Sequence, residues 1–280
     1  MLQDLISKIP SLRSELYRGS CVYSLIESQV LKDVETYFGL NSSCRVDFSG
    51  VGVIHLPYFS MGNINTTHLF GLDELVLFSY YMINKGKYKK VADIGANVGL
   101  HSVVLAKLGY IVSAYEPDPV HCREFLKNIK SNEVSGRVEL FCNAVSDVVG
   151  EVAFTRVKDN TTGNHITGSK NPYGQTDEFL VRTIGFRDIL LKSELVKIDV
   201  EGHEAVLITS TESKDWDGTD AFLEVGSKEN AKKIYEHLNN LGISMFSQKI
   251  GWSRVRAPED LPSHHREGSM FITKQKDMTW

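Results

Sequence analysis

The chain has few cysteines, no long apolar run and no excess of positive charge, and each shortage removes a class of function. Its four cysteines, Cys21, Cys44, Cys122 and Cys142, are widely spaced and form no C-x-x-C pair. A zinc site or a disulfide framework is therefore not expected, whereas reduced thiols in a cytoplasm are. No stretch reaches the ~18 consecutive apolar residues of a spanning helix, so no membrane association is expected. A formal net charge of −4 leaves no basic footprint for nucleic acid. Residues 1–10 include Asp4 and lack a basic segment ahead of an apolar one, so they do not read as a signal peptide. Internal repeats and low-complexity tracts are also missing. What remains is 280 residues, 42% hydrophobic and 24% charged, ordinary for a soluble chain of one large domain with room for an extension.

The first 50 residues carry two helical patterns, one through Leu5, Ile9, Leu12 and Leu16 and one over 26–38. Residues 50–57 alternate like a strand, and 58–71 form a polar connector. Residues 72–83 are apolar almost all round, which predicts a buried helix. Glu74 inside it either points outward or meets a ligand, because a buried carboxylate needs a partner. From Lys90 onward strands and helices alternate. Seven strands are predicted, over 91–94, 111–115, 138–142, 195–200, 221–225, 245–248 and 270–273. Helical spacing recurs at Cys122, Phe125, Leu126 and Ile129, and again from Ala231 to Leu241, with Gly242 suited to a left-handed stop. This alternation implies a mostly parallel sheet with helices on both faces and ligands at the C-terminal strand ends. One polar, glycine-punctuated loop, 158–178, breaks the rhythm. It is flanked by strand-like 151–157 and 179–184, which predict a hairpin with the loop at its tip.

Two stretches carry chemistry. In Val91-Ala92-Asp93-Ile94-Gly95-Ala96-Asn97-Val98-Gly99 a short strand turns through glycines into a helix, where N–H groups and the dipole face a ligand. A dinucleotide fingerprint needs glycine at the middle position so that pyrophosphate can approach the backbone. Asn97 stands there. Asp93 at the strand end suits a cofactor with an ammonium group, and Glu116, closing the next strand, suits ribose hydroxyls. Together they fit S-adenosylmethionine better than a dinucleotide. The second stretch is Lys197-Ile198-Asp199-Val200-Glu201-Gly202-His203-Glu204. It crowds ionisable groups at the end of a central strand, where polar residues are costly unless paired or functional.

Four segments, in this order, resemble the FkbM family of S-adenosylmethionine-dependent methyltransferases. They are Asp93-Ile94-Gly95-Ala96-Asn97-Val98-Gly99, Tyr115-Glu116-Pro117-Asp118-Pro119, Asn143-Ala144-Val145-Ser146-Asp147 with Gly150, and Lys197-Ile198-Asp199-Val200-Glu201-Gly202. The likeness spans about residues 74–273. It implies a class I methyltransferase (Rossmann-like) α/β fold, with a seven-stranded mostly parallel sheet whose last strand runs antiparallel. Residues 71–280 would form the cofactor-binding domain and 1–70 a mainly helical extension or cap. It also implies cofactor contacts from Asp93, Gly95, Ala96, Asn97, Gly99, Glu116, Pro117, Asn143 and Ala144, to which Glu74 and Asp199 are added as candidates. Two departures, Phe186-Arg187-Asp188 in place of a Leu-Asp pair and His203 in place of a small residue, lie where a substrate could reach.

Methyl transfer from a sulfonium is an in-line displacement, and an alcohol acceptor must also lose its proton. Asp199 or His203 is the expected base, with Lys197 and Glu201 shaping the local charge and His165 a weaker candidate. A divalent metal, for which Asp199, Glu201 and Glu224 offer oxygen ligands, is allowed for but not expected. The expected reaction is O-methylation of a sugar, glycan or natural product. The alternatives are N-methylation of a peptide amide or nucleic acid, and a non-catalytic cofactor-binding scaffold. Nucleic acid is not the expected partner, since Asn171-Pro172-Tyr173 only echoes an amino-methylating motif and reads as a loop turn.

Overall fold

A computed structural model describes residues 1–171 and 174–280. The proposed turn at Asn171-Pro172-Tyr173 thus falls, at 172 and 173, outside the described residues. Two helices open the chain, α1 (Leu2–Leu12) and α2 (Cys21–Phe38). The first buries Leu2, Leu5, Ile6 and Ile9 along one stripe. The second starts five residues earlier than its apolar pattern predicts, because Ser20 caps it by accepting the Val22 N–H. A hairpin of β1 (Arg45–Phe48) and β2 (Gly52–His55) follows, turning at Gly50 with φ +86°. Then come α3 (Leu72–Ile83), β3 (Lys90–Ile94), α4 (Leu100–Lys107), β4 (Ile111–Tyr115), α5 (Pro119–Ser131) and β5 (Val138–Phe141).

An inserted segment contributes β6 (Ala144–Ser146), β7 (Gly150–Val157), β8 (His165–Ile166) and β9 (Thr176–Gly185). The main sheet resumes with α6 (Phe186–Leu190), β10 (Leu195–Ile198), α7 (Glu204–Thr209), β11 (Asp220–Glu224), α8 (Lys228–Asn240), β12 (Ser244–Ser247), β13 (Ser253–Arg254) and β14 (Ser269–Thr273). Gly242, just beyond α8, takes the left-handed conformation its position predicts, with φ +70°.

The main sheet runs β5-β4-β3-β10-β11-β14-β12-β13. Strands β5 to β11 are parallel, and β14 enters antiparallel between β11 and β12. That order is the class I methyltransferase arrangement, with chain order reversing between β3 and β10. All seven expected strands are present, but the sheet has eight because the two-residue β13 pairs onto the edge of β12. The strand expected over 195–200 stops at Ile198, since Glu201 and Gly202 adopt positive φ of +53° and +105° and turn the chain.

One face of the sheet buries Val91, Leu195, Phe222 and Phe271 in the same apolar cluster as α1, α2, β1 and β2, so continuous packing crosses residue 70. The other face packs Ile94, Ile198 and Leu223 against α7 and α8. Strands β7 and β9 form the anticipated hairpin within a separate sheet ordered β6-β9-β7-β8. Among the described residues no helix is long and apolar enough to cross a membrane.

Candidate active site

The glycine turn is fixed by close approach. At Gly95, φ is +75°, and a Cβ there would lie 1.7 Å from the Asp199 carbonyl oxygen. At Gly99 a Cβ would lie 2.7 Å from the Phe125 ring. Both positions therefore require glycine. Between them Asn97 sits at φ +50°, a conformation asparagine tolerates better than most residues. The N–H groups of Gly95 and Ala96 both donate to the Tyr115 carbonyl at 3.0 Å, tying the turn to the end of β4. Glu116 then takes the Asn97 N–H at 2.9 Å and the Asp118 N–H at 2.8 Å, one on each carboxylate oxygen.

A cavity of about 320 Å³ opens at the C-terminal ends of β3, β4, β10 and β11. Of the residues expected to bind cofactor, Glu74, Gly95, Ala96, Asn97, Glu116, Pro117, Asn143, Ala144 and Asp199 line it. Asp93 and Gly99 do not. Asp93 lies fully buried beneath the turn and accepts a hydrogen bond from Ser102 Oγ at 2.7 Å. Gly99 is pressed against Phe125 at the start of α4. Glu74, in the first turn of α3, points into the cavity rather than to bulk solvent, and its Oε2 lies 2.6 Å from His101 Nε2. Burial opposes ionisation of Glu74, but His101 and Lys197 prevail and hold its pKa below the ordinary value. Tyr81 shares a 3.1 Å hydrogen bond with His101 Nδ1 on the far side.

A charged cluster closes the other end of the cavity. Lys197 is buried, with Nζ 3.3 Å from Asp199 Oδ2. Burial alone would lower its pKa, yet the carboxylates of Asp199, Asp93, Glu224 and Glu74 outweigh that and raise it. Lys197 is thus held as a cation and is no base at neutral pH. Glu224, on the cavity wall, is pushed well above the carboxylate range, first by burial and then by Asp199 and Glu74. Glu201 is raised to about 7 by burial and the Asp199 charge, against the pull of Lys170, whose Nζ lies 2.5 Å from Glu201 Oε2. Among the described residues no three His, Cys, Asp or Glu side chains are grouped to hold a metal ion.

The structure corrects the placement of His203. It is buried at the N-cap of α7 and absent from the cavity wall. Its Nε2 is 3.0 Å from Ser146 Oγ and its Nδ1 3.0 Å from Ser169 Oγ, so both nitrogens are engaged. The turn at Gly202 is the cause, because it directs the ring toward β6 and the inserted loop. His165 is also buried off the cavity wall, its Nδ1 bonded to the Gly163 carbonyl at 2.9 Å.

Sequence reasoning missed His101 and His121; it singled out the loop over 158–178 but not the residues by which that loop roofs the cavity. The roof is the inserted loop 158–170, which contributes Thr161, Thr162, Asn164 and Ile166 to the cavity wall. It is pinned to the connector ahead of α3, where the Asn63 N–H donates to the Asp159 carbonyl at 2.7 Å and the Thr161 N–H to the Met61 carbonyl at 3.1 Å. Its length and its polar, glycine-punctuated composition were the signals in the sequence, and neither says which side chains of a loop face a cavity.

A family model described as the methyltransferase FkbM domain matches residues 93–244, from the glycine turn to the start of β12. No curated protein matches the chain. Similar solved structures include the methyltransferase FkbM of Methylobacillus flagellatus KT, at 13% identity and a TM-score of 0.40 over 66% of this chain. This chain spans only 43% of that protein. Precorrin-6y C5,15-methyltransferase from Geobacter metallireducens GS-15 aligns at 14% identity and a TM-score of 0.38, covering 70% of this chain and 84% of that one. A SAM-dependent methyltransferase from Agrobacterium tumefaciens aligns at 9% identity and a TM-score of 0.43, covering 82% and 70%. The assignment rests on the family match and on this chain's own strand order: the protein belongs to the FkbM family of S-adenosylmethionine-dependent methyltransferases.

Proposed function

We propose that the protein transfers a methyl group from S-adenosylmethionine to a hydroxyl of a sugar, glycan or natural-product acceptor. The observation that carries this reading is one cavity joining the Gly95–Asn97 turn and Glu116 to Lys197, Asp199 and Glu201. The residues suit the donor. Gly95 lets the turn lie against the Asp199 carbonyl at the cavity wall, and the buried Oδ1 of cavity-lining Asn97 has no hydrogen-bond partner within the protein. A buried orphan acceptor is costly and suits a ligand donor.

In this reading Glu116, already oriented by two N–H groups, accepts from ribose hydroxyls, and Asn143 and Ala144 flank the adenine. Glu74 and the buried Asp93 supply negative charge for the ammonium group. When bound, the sulfonium supplies an electrophilic methyl group. Asp199 would take the proton of the acceptor hydroxyl. Lys197 fixes the Asp199 carboxylate through their 3.3 Å contact, and Glu201 tunes the field beside it. Carboxylates crowding the acceptor side favour a neutral acceptor over an anionic one.

The test is formation of S-adenosylhomocysteine from S-adenosylmethionine across panels of glycosides, hydroxylated polyketides, peptide amides and oligonucleotides. Turnover with a hydroxyl panel, lost in Asp199→Asn, supports the proposal. Turnover confined to amides or nucleic acid contradicts it.

A further inference from the structure

Asp118, in the Tyr115-Glu116-Pro117-Asp118-Pro119 turn, is fully buried and carries more than its helix cap. It accepts the Val120 N–H at 2.7 Å as the N-cap of α5. Its two oxygens also take Arg156 in a two-pronged pair, Nε to Oδ2 at 2.7 Å and Nη2 to Oδ1 at 2.6 Å. Asn164 Nδ2 donates to the same Oδ2 at 2.8 Å, while Asn164 Oδ1 accepts the Val157 N–H at 2.9 Å. Arg156 lies on β7, and Asn164 lies in the roof loop 158–170. A planar guanidinium meeting a carboxylate through two parallel bonds fixes orientation as well as distance.

The chain of bonds continues to the donor site. The Asp118 N–H donates to Glu116 Oε1, and Glu116 Oε2 accepts from Asn97 in the glycine turn. His121 makes a second link, with Nδ1 3.7 Å from Glu116 Oε1 and Nε2 2.9 Å from Thr161 Oγ1. Roof and donor turn therefore share one polar network around Glu116, and the roof atoms facing inward belong to Thr161, Thr162, Asn164 and Ile166.

We propose that Arg156 and Asn164 are positioning residues of the methyl-donor site, holding the roof loop through Asp118 so that Thr161 and Thr162 complete the wall around the cofactor's nucleoside. This rests on the donor reading above and adds the inserted hairpin to the donor site. Each end of the network stabilises the other, so occupancy near Glu116 tightens the roof and a loosened roof weakens binding.

The experiment uses the full chain with S-adenosylhomocysteine as probe, read by calorimetry and by amide hydrogen exchange over 158–170. In the parent protein the probe slows exchange across the roof. Arg156→Gln abolishes that protection and weakens affinity about tenfold, a typical coupling between linked sites. Arg156→Lys, which keeps the charge but not the fork, falls between. Thr161→Val, which keeps the fold, costs about fivefold, the size of one hydrogen bond. A merely structural ion pair would lower the melting temperature of Arg156→Gln while leaving affinity and roof protection as in the parent. That result, or unchanged affinity in Thr161→Val, overturns the proposal alone. Absence of any probe binding by the parent overturns the donor reading and this proposal together.

Discussion

Lys197 and Asp199 leave the same strand two residues apart and meet at 3.3 Å beside the cavity, the cation buried and the carboxylate partly open. The carboxylates of Asp93, Glu224 and Glu74 surround that cation. Lys197 is therefore the positive centre of an otherwise acidic pocket. Removing it leaves several negative charges facing one another out of water.

Lys197→Met is expected to destabilise the protein by about 3 kcal/mol, because breaking one partner out of a buried ionic cluster leaves the others uncompensated. Chemical denaturation with unchanged m-value checks this. The double change Lys197→Met with Glu74→Gln should recover part of the loss, since Glu74 is held ionised.

Glu201 predicts a pH signature. Its carboxyl is raised from 4.5 to about 7 in the folded chain, so between those values the folded state holds the proton that the unfolded state has released. Its contribution is fully present below the unfolded pKa and is lost as pH rises toward about 7. Subtracting the thermal stability of Glu201→Gln from that of the parent at each pH should give a difference that falls over this window. A flat difference would show that Glu201 titrates normally.

His203→Ala is expected to leave methyl transfer essentially unchanged, since the ring is off the cavity wall. It should cost about 1–2 kcal/mol of stability through the lost bonds to Ser146 and Ser169. Urea unfolding and turnover measured side by side separate the two effects. Loss of turnover at full stability would restore His203 as a base.

That the glycine turn, Glu116 and Asn143-Ala144 would share one cavity was legible because each is a local pattern, a strand end meeting a turn. The class I arrangement of the sheet came from the family resemblance, whereas the strands themselves were legible through alternating periods and helix stops. β1 was not, because its four residues carry only Val46 and Phe48 inward, too short a run to register. His203 misled because sequence adjacency to Glu201 does not survive a positive-φ turn at Gly202. His101, His121 and Thr161 escaped notice because their roles arise from partners 27, 40 and 40 residues away, His101 with Glu74 and His121 with Thr161. Only tertiary packing brings such pairs together.

Calorimetric titration of the full chain with S-adenosylhomocysteine, in the parent and in Glu116→Ala, tests the central claim most directly. The donor site described here predicts one-to-one binding by the parent and affinity about 10- to 100-fold weaker in Glu116→Ala, the cost of losing charged hydrogen bonds. A parent that binds no S-adenosylhomocysteine, or a Glu116→Ala variant that binds it as the parent does, would contradict it.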